Sequence, residues 1–225
     1  LLEGNIIFTE PGPEKTLNPG DYITKEKDSE ELWFRTKNDS TLLWFSSKPA
    51  FKSTQEQIES FREVAREVEE MEGMKNHSDN LERISVQLGR KIGLSSEQLY
   101  NLHYAAYFHD IGKAKVPKKI LRKEDELSEE EWEKMKNHAT WGKEMLERKN
   151  FLRKAAKIVE QHHERVDGTG YPEGLEEEEI SIEAKIISVV DAFDAMRTNR
   201  VYRDAMSEEE AIKELKRNSG TQFDQ

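Results

Sequence analysis

Apolar residues recur along this chain with two different periods. To about Phe51 they come in short bursts: Asn5 to Thr9 (NIIFT), Leu32 to Thr36 (LWFRT) and Thr41 to Phe45 (TLLWF). Pro11-Gly12-Pro13, Pro19-Gly20 and Asn38-Asp39 separate them, which predicts three short strands. Near Ser53 the spacing changes. Ile58, Phe61, Ala65 and Val68 follow a 3-4-3 pattern with Glu and Arg between them, which predicts an amphipathic helix over 53–72. Two heptads fit either a coiled coil joining a sensor to an effector in a homodimer or a helix packed on its own domain, and the pattern leaves both open.

Beyond Gly73 the pattern is helical. Ser95 with Gln98, Ser128 with Glu131 and Ser207 with Glu210 each predict a capping box that opens a helix. Leu99, Leu102 and Ala106 make one apolar face; Trp132, Met135 and Ala139 make another; Ile182, Ile186, Val190 and Phe193 make a third. Asp167 to Gly174 (DGTGYPEG) is expected as a loop between two helices. The architecture predicted is mainly α: a helical bundle over 73–225, preceded by a small β-rich segment over 1–52 and a linker helix over 53–72.

Composition narrows the chemistry. The 225 residues include no cysteine, so disulfides, thiolate ligands and a cysteine nucleophile are excluded, and any metal must be held by nitrogen and oxygen. Absent cysteine fits a reducing compartment, and a cytoplasmic location is the expectation. Charged residues make up 36% of the chain and the formal net charge is -11, which disfavours polymeric nucleic acid and anionic membranes as partners. No apolar run approaches the roughly 18 residues of a membrane span.

Histidines and aspartates lie at the ends of the apolar faces. His109 continues the Leu99–Leu102–Ala106 face, with Asp110 beside it as a carboxylate able to bridge two ions. His162 shares a face with Ala155 and Ile158, and His163 shares one with Ala156 and Val159; on a helix the two imidazoles point about 100° apart, toward two metals or one at the helix end. His138 borders the core of its helix. Asp191 and Asp194 sit in the apolar run IISVVDAFDAM and need a metal or a partner such as Arg197 or Arg200. His77 precedes the run through Leu81, Ile84 and Leu88. Of six histidines only His103 falls outside this set. Imidazole and carboxylate without thiolate suit iron or manganese, with zinc or nickel as alternatives. Two such ions about 4 Å apart would clamp a phosphodiester. Lys113, Lys115, Lys118, Lys119, Arg122 and Lys123 follow His109-Asp110 directly and form either an anion-binding rim or a solvated loop. Lys113, one turn from Asp110, is placed to reach a phosphoryl oxygen.

These residues resemble the HD-GYP phosphodiesterases, over roughly His77 to Asp224. The similarity rests on His109 to Lys113 (HDIGK), Met135 to His138, His162 to Pro172 (HHERVDGTGYP), Val190 to Met196 (VDAFDAM), Arg200 to Arg203 and Ser219 to Asp224. It implies an HD-type helical bundle and hydrolysis of cyclic di-GMP to pGpG, and onward to GMP in some members. By motif, the implied metal ligands are His77, His109, Asp110, His138, His162, His163 and Asp191, with Asp110 bridging. Asp110 and Lys113 would be catalytic, with Lys113 on the scissile phosphate. Gly170, Tyr171 and Pro172 would shape the substrate pocket, and Arg200 and Arg203 would bind phosphate or guanine edges. Members with three metals carry a glutamate one turn before the first histidine. Gly73 stands there in this chain, with Glu72 one residue back, so two divalent ions are expected. Ser46 to Phe51 and the helix after them resemble the end of a GAF-type sensor.

The mechanism expected is attack of a metal-bridging hydroxide on phosphorus, in line with the leaving 3′ oxygen. Two alternatives stand beside it: a non-catalytic cyclic-dinucleotide receptor, and an HD phosphohydrolase acting on another nucleotide.

Overall fold

The computed structural model describes residues 1, 3–9, 14–21, 23, 33–40, 52–74, 76–123, 125–198 and 205–224. Helices dominate. A three-stranded antiparallel sheet stands at the N-terminus, with β1 (Ile6–Thr9) between β2 (Lys15–Leu17) and β3 (Trp33–Thr36). Two of the expected strands are present. Thr41 to Phe45 and the sensor-like stretch Ser46 to Phe51 lie outside the described residues. The sequence pattern did not give β2; at three residues it is too short to show an alternation. Ile6, Phe8 and Leu17 form a small core of their own.

Helix α1 (Lys52–Glu72) turns its apolar face onto the same chain. Ala65 and Val68 are buried, Ile58 and Phe61 pack against the main core, and the Phe61 ring meets Phe108 edge-on at 6.0 Å. The chain thus supplies the apolar surface that this stripe needs. Gly73, at φ +71, ends the helix in the left-handed conformation that glycine adopts without penalty.

The main core gathers α2 (His77–Lys91), α3 (Ser96–Phe108), α6 (His138–Leu146), α7 (Arg153–Gln161) and α8 (Ile182–Arg197), with a 3-10 turn at Ile111–Lys115. Between that turn and α6 lie the short α4 (Lys118–Leu121) and α5 (Glu129–Lys136); α9 (Glu208–Arg217) packs on α8. All three expected capping boxes form, at Ser95, Ser128 and Ser207. The loop expected at Asp167 to Gly174 lies between α7 and α8.

Two expected faces are corrected. Trp132, Met135 and Ala139 do not share one helix, because the helix breaks at Asn137; α5 buries no residue, and Ala139 enters the core from α6. Ile182 is exposed in the first turn of α8, so that face begins at Ala184 and Ile186. No helix among the described residues is long and apolar enough to cross a membrane.

Candidate metal centre

Three of the histidines stand at helix ends: His109 and His162 follow the last residues of α3 and α7 and bond back to those helices, and His138 opens α6 and bonds back to α5. His109 Nδ1 lies 3.0 Å from the Ala106 carbonyl oxygen, His138 Nδ1 2.6 Å from that of Met135, and His162 Nδ1 2.5 Å from that of Val159. A carbonyl only accepts, so each Nδ1 carries its proton and each Nε2 turns toward the centre. His77 reaches the same state differently: its Nδ1 donates to Asp194 Oδ2 at 2.6 Å. Asp194 therefore orients the His77 ring, where the sequence had offered it a metal or an arginine such as Arg197 or Arg200.

The donor atoms converge in two sets. His77, His109 and Asp191 form one; Asp110, His138, His162 and His163 form the other. His77 and His109 bring their Nε2 atoms to 3.3 Å, and so do His138 and His162. Asp110 stands between the sets. Its Oδ2 is 3.2 Å from His109 Nε2, and its Oδ1 is 3.3 Å from His138 Nε2 and 4.0 Å from His162 Nε2. All seven residues expected as ligands are thus together. His162 and His163 fall in the same set.

Gly112 makes this convergence possible. A Cβ there would stand 1.9 Å from the His138 carbonyl oxygen and 2.5 Å from the Gly142 nitrogen. Only a residue without a side chain lets the Asp110–Lys113 turn lie so close to α6.

The electrostatics suit cations. Asp110 Oδ1 is buried and has no hydrogen-bond partner. It faces imidazole lone pairs, an arrangement of acceptor against acceptor that a cation relieves. Burial works to raise the Asp110 pKa, but the Lys113 ammonium and His109 overcome it and hold the carboxyl well below the usual carboxylate range. Burial pushes His138 down, and His162 and His163 well down, so all three rings are neutral near pH 7, the state a metal ligand needs. His109 goes the other way. Burial opposes its charge, yet Asp110, with help from Asp191, raises it to about 9. The donors fit two divalent cations: nitrogen and oxygen only, the tautomers of His77, His109, His138 and His162 set, and one carboxylate facing both sets.

Lys113 lies beside Asp110 and is mostly buried. Its Nζ donates to Glu72 Oε1 at 2.9 Å and Oε2 at 3.1 Å and sits 2.8 Å from Asp110 Oδ2. Burial raises the Glu72 pKa against the pull of Lys113. The sequence had pointed to Glu72 only as the residue one position before Gly73; its carboxylate accepts from Lys113. The outer cations divide. Lys115 pairs with Glu144 at 2.7 Å and Lys123 with Glu131 at 2.5 Å, while Lys118, Lys119 and Arg122 are exposed.

The Gly170-Tyr171-Pro172 segment reaches the centre through Tyr171. Its ring lies 4.8 Å from that of His163, tilted by 33°. Glu164, 3% exposed, holds this loop by accepting from the backbone N–H groups of Glu173 at 2.7 Å and Leu175 at 3.0 Å. Gly170 packs so tightly on Glu164 and Arg165 that a Cβ would come within 2.4 Å of the Arg165 nitrogen. Arg200 and Arg203 lie outside the described residues.

Comparison with known proteins agrees with this geometry. The family model described as "HD domain" matches residues 47–225. The chain belongs to the HD domain family. It is 41% identical over 146 residues to a cyclic di-GMP phosphodiesterase of Thermotoga maritima, covering 64% of this chain and 40% of that protein. It is 38% identical over 171 residues to the cyclic di-GMP phosphodiesterase response regulator RpfG of Xanthomonas campestris pv. campestris, covering 74% and 45%. A 3′3′-cGAMP-specific phosphodiesterase of Vibrio cholerae is 35% identical, covering 66% and 32%. The chain spans less than half the length of these relatives. The fold is similar to that of a cyclic GMP-AMP specific phosphodiesterase of V. cholerae (TM-score 0.59, 19% identity, 74% of this chain and 45% of that one). It is also similar to an HDGYP protein of Bdellovibrio bacteriovorus (TM-score 0.56, 22% identity, 76% and 62%). The HD-GYP resemblance and the mainly helical HD fold expected from the motifs are borne out.

Proposed function

We propose that this chain hydrolyses cyclic di-GMP, opening one phosphodiester to give linear pGpG. The observation that carries the proposal is the position of Asp110, with one oxygen toward each of the two donor sets. Relatives named as cyclic di-GMP phosphodiesterases support the choice of substrate.

Within this reading His77, His109 and Asp191 would hold one divalent cation and His138, His162 and His163 the other, and Asp110 would serve both. Iron or manganese suits this ligand set. Such cations supply Lewis acidity at the phosphoryl oxygens and lower the pKa of water, which makes the nucleophile available at neutral pH. The chain's own groups do the positioning. The helix-anchored imidazoles fix the centre, and Lys113 keeps a positive charge beside Asp110 where the phosphoryl group develops charge. To donate to a phosphoryl oxygen, Lys113 must release one of the bonds now given to Glu72. Tyr171 lies against His163 and borders the substrate. Arg200 and Arg203 are proposed as phosphate or guanine contacts.

The test is a substrate panel with purified protein of known metal content: cyclic di-GMP, 3′3′-cGAMP, pGpG and a mononucleotide. The expected result is metal-dependent conversion of cyclic di-GMP to pGpG. Binding without product under reducing, metal-replete conditions would make the chain a receptor, and turnover of the mononucleotide alone would make it a different phosphohydrolase.

A further inference from the structure

Trp132 is a large apolar side chain that the core does not use. It is 46% exposed, on a helix with no buried residue. That helix is held in place without it, by the Ser128–Glu131 capping box and the Lys123–Glu131 ion pair. The indole nevertheless meets the Tyr171 ring edge-on, with centroids 6.2 Å apart, and Tyr171 lies on His163. Three rings therefore lead from a metal ligand out to an open indole face. The same chain segment runs from Trp132 directly into His138, so the indole is placed relative to the centre by six residues of sequence.

A cyclic dinucleotide carries its two bases on either side of the phosphodiester ring. With one phosphate at Asp110, a base must leave the centre across its rim. A flat aromatic surface there binds any base by its π-face, whereas a hydrogen-bonding edge would select among bases.

We propose that Trp132 is a stacking platform for one purine base of the substrate while the scissile phosphate is held at the centre around Asp110. This rests on the cyclic-dinucleotide reading above and adds a contact residue to it. Because stacking is tolerant of base identity, Trp132 contributes affinity and leaves selectivity to other groups.

The test uses the full, metal-loaded chain. Trp132→Ala is expected to raise KM on the order of 5- to 100-fold, the range given by loss of one base–aromatic stack, and by similar factors for cyclic di-GMP and 3′3′-cGAMP. Metal content and kcat stay near wild type, and Trp132→Phe retains most of the affinity. In parallel, pGpG and cyclic di-GMP quench tryptophan emission in the wild type more than in Trp132→Phe. An unchanged KM in Trp132→Ala, a loss confined to kcat with loss of metal, or equal quenching in both proteins overturns the proposal. If the wild type turns over neither dinucleotide, the phosphodiesterase reading fails by itself, and the difference in quenching by cyclic di-GMP still decides the role of Trp132.

Discussion

Both carboxylate oxygens of Glu72 accept from the ammonium of Lys113, at 2.9 and 3.1 Å, across 41 positions of sequence. The pair is largely shielded from solvent, with side chains 14% and 16% exposed. Removing one partner of a buried ion pair strands the other. Glu72→Ala is expected to cost roughly 3 kcal/mol, the low end for such pairs because Asp110 remains as a partner. Chemical denaturation of the metal-free protein measures it.

Lys113→Ala should retain metal but lose rate, since Lys113 is outside both donor sets and supplies charge rather than ligation. Removing an electrostatic donor of this kind typically lowers kcat by about 100- to 1,000-fold. Metal analysis alongside steady-state kinetics distinguishes this from loss of the centre.

Asp110 and Asp194 should differ in kind. Asp110→Ala takes a donor from both sets and is expected to abolish metal loading and turnover together. Asp194→Ala leaves every ligand in place but frees the His77 ring. Loss of such an outer hydrogen bond costs about 10- to 100-fold in metal affinity. Metal titrations of the two variants check the difference.

How much of this centre the sequence revealed depends on how far apart the partners lie. His109 and His162 were legible because each closes an apolar helical face: His109 follows Leu102 and Ala106, and His162 follows Ile158, all buried as expected. The capping boxes were legible because four consecutive residues contain the whole interaction. Asp194 with His77 and Glu72 with Lys113 were not, because each pairing joins helices that only the tertiary fold brings together. Trp132 misled for a related reason. Periodicity placed it on a face with Ala139, and nothing local showed that the helix breaks at Asn137.

Metal loading should depend on pH through His109. Its pKa in the folded, metal-free protein is raised to about 9, so below that pH the ring carries a second proton that a cation must displace. Affinity at the set containing His77 and His109 should therefore rise about tenfold per pH unit up to about pH 9 and then level off. His138, His162 and His163 are held below the usual histidine range and release no proton near neutrality. Calorimetric titration in buffers of different ionisation enthalpy counts the protons released.

Gly112→Ala should be among the most damaging small substitutions. The added methyl would overlap the His138 carbonyl and force the Asp110 turn away from α6. Overpacking of this kind costs about 1–3 kcal/mol or more. Thermal denaturation reads the stability loss, and metal content reads the displacement of Asp110 from His138.

The bonds from His109, His138 and His162 to the carbonyls of Ala106, Met135 and Val159 each span three residues. The last carbonyls of a helix have no partner within it. His109 and His162 therefore end their helices, His138 closes back onto α5 from the start of α6, and each ring sets its angle with a single bond to a carbonyl three residues before it. Rotamer freedom that a metal would otherwise have to freeze is removed during folding. Ligation then begins from rings already at rest, and the cost of ordering them falls on secondary structure rather than on the affinity for the ion.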